Sequence, residues 1–90
     1  MKYRSREELI AQILEIANGN RVRITTLIFK ARIPYNLLKK YLTTMIEKGW
    51  IECNKGRVEG EEKPTYKTTE KGLYFLKLYK DLIELINPVG

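Results

Sequence analysis

Apolar residues recur at helical spacing early in the chain: Leu9, Ile10, Ile13, Leu14, Ile16 and Ala17. Ser5 and Glu8 form a capping box, S-x-x-E, that marks the start of this helix. Asn18-Gly19-Asn20 ends it, since glycine suits a left-handed turn. Residues 21–24 alternate polar and apolar and predict a short strand with Val22 and Ile24 inward. Thr25 or Thr26 is placed to cap a second helix that runs to about Arg32, with Leu27, Ile28 and Ala31 inside. Ile33-Pro34 breaks that helix, because the residue before a proline avoids helical backbone. A third helix is predicted over residues 35–48. At about 100° per residue, Leu38, Tyr41, Leu42 and Met45 share one face. Asn36, Lys39, Lys40, Thr43 and Glu47 share the other, and Gly49 stops the helix.

Residues 50–54 read as a strand, 55–63 as a polar loop with two glycines, and 64–68 as a second strand. Together they predict a hairpin with a long tip. Thr69 is placed to cap a last helix from Glu70 to about Ile86. The order is helix, short strand, helix, helix, strand, loop, strand, helix. That is a winged helix-turn-helix, an α+β fold that is mostly helical. In its nucleic-acid-binding form the second of the paired helices lies in the major groove, and the hairpin is the wing. Residues 1–68 form this unit. Residues 69–90 add a long C-terminal helix for core packing and dimerisation, within one folding unit.

The last helix carries two adjacent apolar stripes, Leu76/Tyr79/Ile83/Ile86 and Phe75/Leu78/Leu82/Leu85. A small domain needs one such stripe for its own core. A second stripe implies an interface, so Phe75, Leu78, Tyr79, Leu82, Ile83, Leu85 and Ile86 are candidates for a homodimer contact. The alternative is that helix 1 and the hairpin bury both stripes within one chain. Lys77 and Lys80 share the polar face with Asp81 and Glu84, which offers little attraction to a membrane surface. Trp50, Tyr66, Tyr74 and Tyr79 read as core, with a small-molecule pocket as the alternative.

Composition narrows the chemistry. Ninety residues make one domain, and 43% hydrophobic content supports a core. There is no His, one Asp (Asp81), one Ser (Ser5) and one Cys (Cys53). Neither a nucleophile–base constellation nor a Cys/His zinc site can be assembled from these, so no catalysis, metal or cofactor is expected. Apolar runs are interrupted by charge, so neither a signal peptide nor a membrane span is read, and the expected location is cytoplasmic, on the nucleoid.

The net charge is +6, and its distribution matters more than its size. Residues 1–57 carry +7 and residues 58–90 carry −1. Between Glu15 and Glu47 there is no acid, yet there are Arg21, Arg23, Lys30, Arg32, Lys39 and Lys40. A surface that faces phosphates needs this pattern, since an acid there would repel the backbone. Double-stranded DNA is the expected partner. The candidate contacts are Arg4, Arg6, Arg23, Thr26, Lys30, Arg32, Tyr35, Asn36, Lys39, Lys40, Thr43, Lys55 and Arg57. Asn36 has the chemistry to pair with adenine, Lys39 and Lys40 to reach phosphate or guanine, and the Thr43 methyl to touch a thymine methyl. Glu59, Glu61 and Glu62 suggest basic wing stems near DNA with an acidic tip turned away. The rival reading is a winged helix that binds protein and not DNA.

The chain resembles the small archaeal winged-helix DNA-binding proteins that dimerise through a long C-terminal helix. The matching stretches are residues 4–17 (RSREELIAQILEIA), 26–33 (TLIFKARI), 38–42 (LKKYL), 47–51 (EKGWI) and 66–72 (YKTTEKG). The resemblance implies a dimeric DNA-binding protein of transcription or chromosome organisation. Two departures stand out: Pro34 sits where a capping Ser is frequent, and Thr68 where Leu is usual, which predicts a weaker core contact for the last strand.

Overall fold

The structure is a computed structural model that describes residues 4–58 and 60–86, with the side chains of Arg57, Val58, Glu61 and Glu62 outside the description. Six elements follow in order: α1 (Arg6–Ile16), α2 (Ile24–Ala31), α3 (Tyr35–Glu47), β1 (Ile51–Val58), β2 (Glu61–Thr68) and α4 (Glu70–Ile86). Ser5 caps α1 as expected, its hydroxyl accepting from the Glu8 N–H at 3.1 Å. The apolar face of α1 meets α2, α3 and the hairpin. Ile13, Leu14, Leu27, Leu38 and Met45 are fully buried there, with Ile51 and Tyr66 from the hairpin.

The predicted strand at 21–24 is a single bridge. Val22 and Tyr66 exchange both backbone hydrogen bonds, at 2.9 and 2.7 Å, and pairing stops there. Ile24 already belongs to α2, whose N-cap is Arg23, with no side-chain cap. Thr25 and Thr26 therefore lie inside the helix. Ile24 packs against the core, and that burial outweighs a threonine cap, since capping contributes only about 1 kcal/mol.

The predicted long tip is also corrected. β1 and β2 pair antiparallel in unbroken register from Ile51↔Thr68 to Val58↔Glu61, leaving only Glu59 and Gly60 between them. Polar residues 55–63 form a ladder because a solvated two-stranded ribbon is held by backbone hydrogen bonds and does not require apolar side chains. Gly60 has φ +81, a left-handed value that suits glycine in a tight hairpin turn. The direction of the wing-tip carboxylates (Glu59, Glu61, Glu62) lies outside the described residues, as does the Arg57 side chain.

Thr68 does more than replace a leucine. It is buried, its N–H donates to Ala17 O at 3.0 Å, and its hydroxyl donates to Leu14 O at 2.7 Å. Both acceptors belong to the end of α1, where helical carbonyls lack partners within the helix. The expected weak contact is thus a hydrogen-bonded seam between β2 and α1. Thr68→Val should leave the Leu14 carbonyl unsatisfied and cost about 1–3 kcal/mol, read as a lower urea midpoint with an unchanged m-value.

Tyr66 is nine-tenths buried beside its cross-strand neighbour Cys53. Burial, and then Cys53, push its phenol above the usual tyrosine value. The neutral phenol is the form that suits the fold. Its contribution is therefore full below about pH 10, the unfolded value, and is lost as pH rises through the folded value. The difference in melting temperature between wild type and Tyr66→Phe should stay constant below about pH 10 and move against wild type as pH rises above it.

α4 begins as predicted. The Thr69 hydroxyl accepts from the Gly72 N–H at 3.1 Å and donates to Gly49 O. Trp50 stacks on Phe75 with ring centroids 4.7 Å apart. Leu76 is buried and Tyr79 half-buried beside α1. Beyond them the alternative, that one chain buries both stripes, fails. Leu78, Leu82, Ile83, Leu85 and Ile86 are all exposed, Leu85 by 80%. Two causes combine. Leu78 and Leu82 lie on the flank of α4 beside Glu7 of α1, which does not cover them. α4 also has 17 residues against 11 in α1, so at ~1.5 Å per residue its end outruns α1 among the described residues.

Candidate nucleic-acid interface

α3 is positioned by its buried face, so its opposite face is fixed outward. Asn36, Lys39, Lys40, Thr43 and Glu47 are all exposed. Lys39 places its ammonium over the Tyr35 ring, 5.5 Å from the centroid, which holds a cation at the start of the helix. The Thr43 hydroxyl donates to Lys39 O at 2.9 Å, within the helix. That leaves its methyl, and a hydroxyl oxygen able only to accept, to offer to a partner.

The fold adds Arg6 to this face. Arg6, from the first turn of α1, and Lys40 line one cleft of about 270 Å³ with Ile10, Leu37, Tyr41 and Thr44. No carboxylate borders that cleft. Among the described residues, none pairs with Arg6, Lys39 or Lys40. Two cations 34 positions apart in sequence are thus brought to one flank of α3, with hydroxyl groups between them. This arrangement suits a phosphate oxygen.

Other candidates are dispersed. Arg23 is exposed at the N-terminus of α2, and Thr26 is half-buried within it. Arg32 is exposed in the turn between α2 and α3, with left-handed backbone at φ 53 and ψ 53. Lys55 is exposed on β1 opposite Pro64. Arg21 pairs with Glu52 at 3.8 Å, which commits part of the basic window to the wing's own base. Lys30 is exposed on α2, away from the Arg6–Lys40 cleft. It lines a groove of about 310 Å³ between α1, α2 and α4 with Glu8, Gln12, Glu15, Tyr79 and Lys80. Lys80 also pairs there with Glu15 at 3.0 Å. Glu8 and Glu15 of α1 thus line the same groove as Lys30, although neither is near it in sequence. Arg4 is turned inward, onto the end of α2.

Phe29 has no counterpart among the sequence-predicted residues. It is 83% exposed on the outer side of α2. The apolar run Leu27-Ile28-Phe29 conceals it. About 200° separates Phe29 from Leu27, so only one of the two can reach the core. The four aromatic residues do not meet in one pocket, and of them only Tyr79 lines the groove between α1, α2 and α4. Tyr66 and Trp50 are committed to packing, whereas Tyr74 is 63% exposed. Among the described residues no helix is long and apolar enough to cross a membrane, and no cluster of metal-ligating side chains occurs.

No curated protein matches the sequence. Among solved structures, the chain is similar to Sso10a-2, a DNA-binding protein from Sulfolobus solfataricus. The TM-score is 0.81 at 23% identity, over 96% of this chain and 85% of that one. It is equally similar in shape to a PadR family transcription regulator from Clostridium difficile R20291. There the TM-score is 0.81 at 18% identity, over 90% of this chain and 92% of the other. At these identities the likeness speaks for the fold. The profile of the winged helix-turn-helix family matches residues 3–87. With the paired helices, the hairpin wing and that match over nearly the whole chain, the protein belongs to the winged helix-turn-helix family.

Proposed function

We propose that this protein is a homodimeric regulator of transcription that binds double-stranded DNA. α3 enters the major groove, and Arg6 and Lys40 grip the flanking backbone. One observation carries this reading: α3 and the first turn of α1 converge on a cleft where Arg6 and Lys40 meet with no carboxylate among the described residues that line it. Lys39 and Lys40 position the helix through phosphates, while Asn36 and the Thr43 methyl are the groups with base-reading chemistry. The similar DNA-binding protein and transcription regulator support the choice of ligand. The dimer is supported by the bare end of α4, where Leu78, Leu82 and Leu85 would otherwise be left to water. Phe75 is occupied by Trp50 in its own chain, so the surface left for a second copy starts at Leu78.

Titration with duplex DNA at several salt concentrations tests this reading. The logarithm of the binding constant should fall linearly with the logarithm of salt. Replacing Lys39 and Lys40 together by Ala should reduce the magnitude of that slope by about 4 for the dimer, one for each phosphate no longer neutralised by the two protomers. An unchanged slope would remove α3 from the interface. A genomic fragment that outcompetes random duplex marks a regulator, whereas equal affinity marks an architectural protein.

A further inference from the structure

Arg4 and Arg6 stand two positions apart with the same charge, and the structure gives them different surroundings. Arg6 opens on the cleft beside α3. Arg4 reaches across to the turn between α2 and α3. Its Nη1 donates to Ala31 O and, at 2.8 Å, to Gln12 Oε1. Its Nη2 donates to Arg32 O at 2.9 Å.

The acceptors matter. Ala31 O is among the last carbonyls of α2, which find no donor within the helix. A cation at that end also meets the negative pole of the helix dipole. Arg32 is the one described non-glycine residue with positive φ, a conformation that L side chains adopt only under constraint. That residue turns the chain out of α2, and only Ile33 and Pro34 separate it from α3. The angle at which α3 leaves the domain is therefore set at Arg32. Arg4 clamps this turn from both sides while Gln12 holds the guanidinium against α1.

We propose that Arg4 is a positioning residue: it fixes the helix-turn-helix angle through the Ala31 and Arg32 carbonyls and does not contact DNA itself. The proposal rests on the DNA-binding reading above. It separates Arg4 from Arg6, which touches phosphate. The planar guanidinium serves two carbonyls at once, a task for which a lysine ammonium is a poor substitute.

The test compares salt-dependent duplex binding by Arg4→Ala, Arg4→Lys, Arg6→Ala and Arg6→Lys. Both Arg4 variants should bind about tenfold more weakly at one reference salt, the equivalent of one charge-assisted hydrogen bond, with the wild-type slope. Arg6→Ala should lower the slope by about 2 for the dimer, and Arg6→Lys should restore it. Amide exchange at Ile33 and Leu38 should quicken in Arg4→Lys, while α4 amides stay as in wild type. A slope reduced by about 2 in Arg4→Ala and restored in Arg4→Lys would overturn the proposal, because Arg4 would then be a phosphate contact in both protomers. Wild-type affinity in Arg4→Ala would overturn it too. So would global unfolding of both Arg4 variants, since the arginine would then hold the domain and not the turn. If the wild-type protein binds no duplex at all, the DNA-binding reading falls, and the exchange measurement alone decides whether Arg4 clamps the turn.

Discussion

Gly72→Ala should be the most damaging single methyl in this protein. A Cβ at position 72 would stand 2.0 Å from the Trp50 carbonyl oxygen, 2.9 Å from Thr68 Cγ2 and 3.0 Å from the Trp50 carbonyl carbon. Two of these three atoms are backbone, and the backbone is pinned. Trp50 O accepts from the Thr69 N–H at 3.1 Å, and Trp50 N–H donates to Met45 O at 2.9 Å. Relief therefore requires α4 to lift off β1, which also opens the Trp50–Phe75 contact. The cost should reach or pass the upper end of the ~1–3 kcal/mol range for overpacking. In a domain of this size each kcal/mol is worth about 4–8 °C, so the melting temperature should fall by at least about 12 °C. The sign is informative. On an exposed helical surface the same substitution would stabilise by about 1 kcal/mol. Gly56→Ala is the control, since nothing lies within 4 Å of that position, and it should be close to neutral. A Gly72→Ala protein that melts like wild type would show that α4 does not pack on Trp50 as described.

The double substitution Leu78→Asp/Leu82→Asp should convert a dimer to a monomer without unfolding it. Both leucines are about half exposed in the single chain, at 49% and 52%, so the monomer is little affected. Across a twofold interface each change counts twice, and four leucines are removed from it. At ~1.5–3 kcal/mol per buried leucine the cost is about 6 kcal/mol or more, which weakens association by more than about 10⁴-fold. Sedimentation at micromolar concentration should then report a monomer with an unchanged circular dichroism spectrum. DNA affinity should fall with it, because a dimer places two α3 helices on one duplex and a monomer only one. A wild-type protein that sediments as a monomer would reject the interface outright.

The structure also separates two kinds of sequence signal. The T-E-K-G stretch at residues 69–72 is visible as a motif, but its meaning is not. Thr69 bonds both Gly49 O and the Gly72 N–H, and Gly72 lets α4 touch the Trp50 carbonyl. The motif is thus a joint between the end of α3 and the start of α4. Its residues follow from close approach, which no periodicity reveals. The wing shows the opposite case. Residues 55–63 look like a loop because they are polar, whereas the ladder from Ile51 to Val58 is a backbone property.

By itself the sequence determined the order of the four helices and the hairpin, the inner faces of α1 and α3, the caps at Ser5 and Thr69, and the outward face of α3. These are local quantities. They follow from helical period and from hydrogen bonds made within about three residues. The sequence also located the excess charge and the surplus apolar stripe on α4. The tertiary structure alone decided what each charge faces. Lys30 and Arg6 look alike in the sequence, but the fold sets Lys30 on a groove that Glu8 and Glu15 also line and Arg6 on a cleft that Lys40 lines. Arg4 looked the same and is bonded to carbonyls 27 and 28 residues away. Electrostatic environment depends on distance through space, and the fold sets that distance independently of separation along the chain.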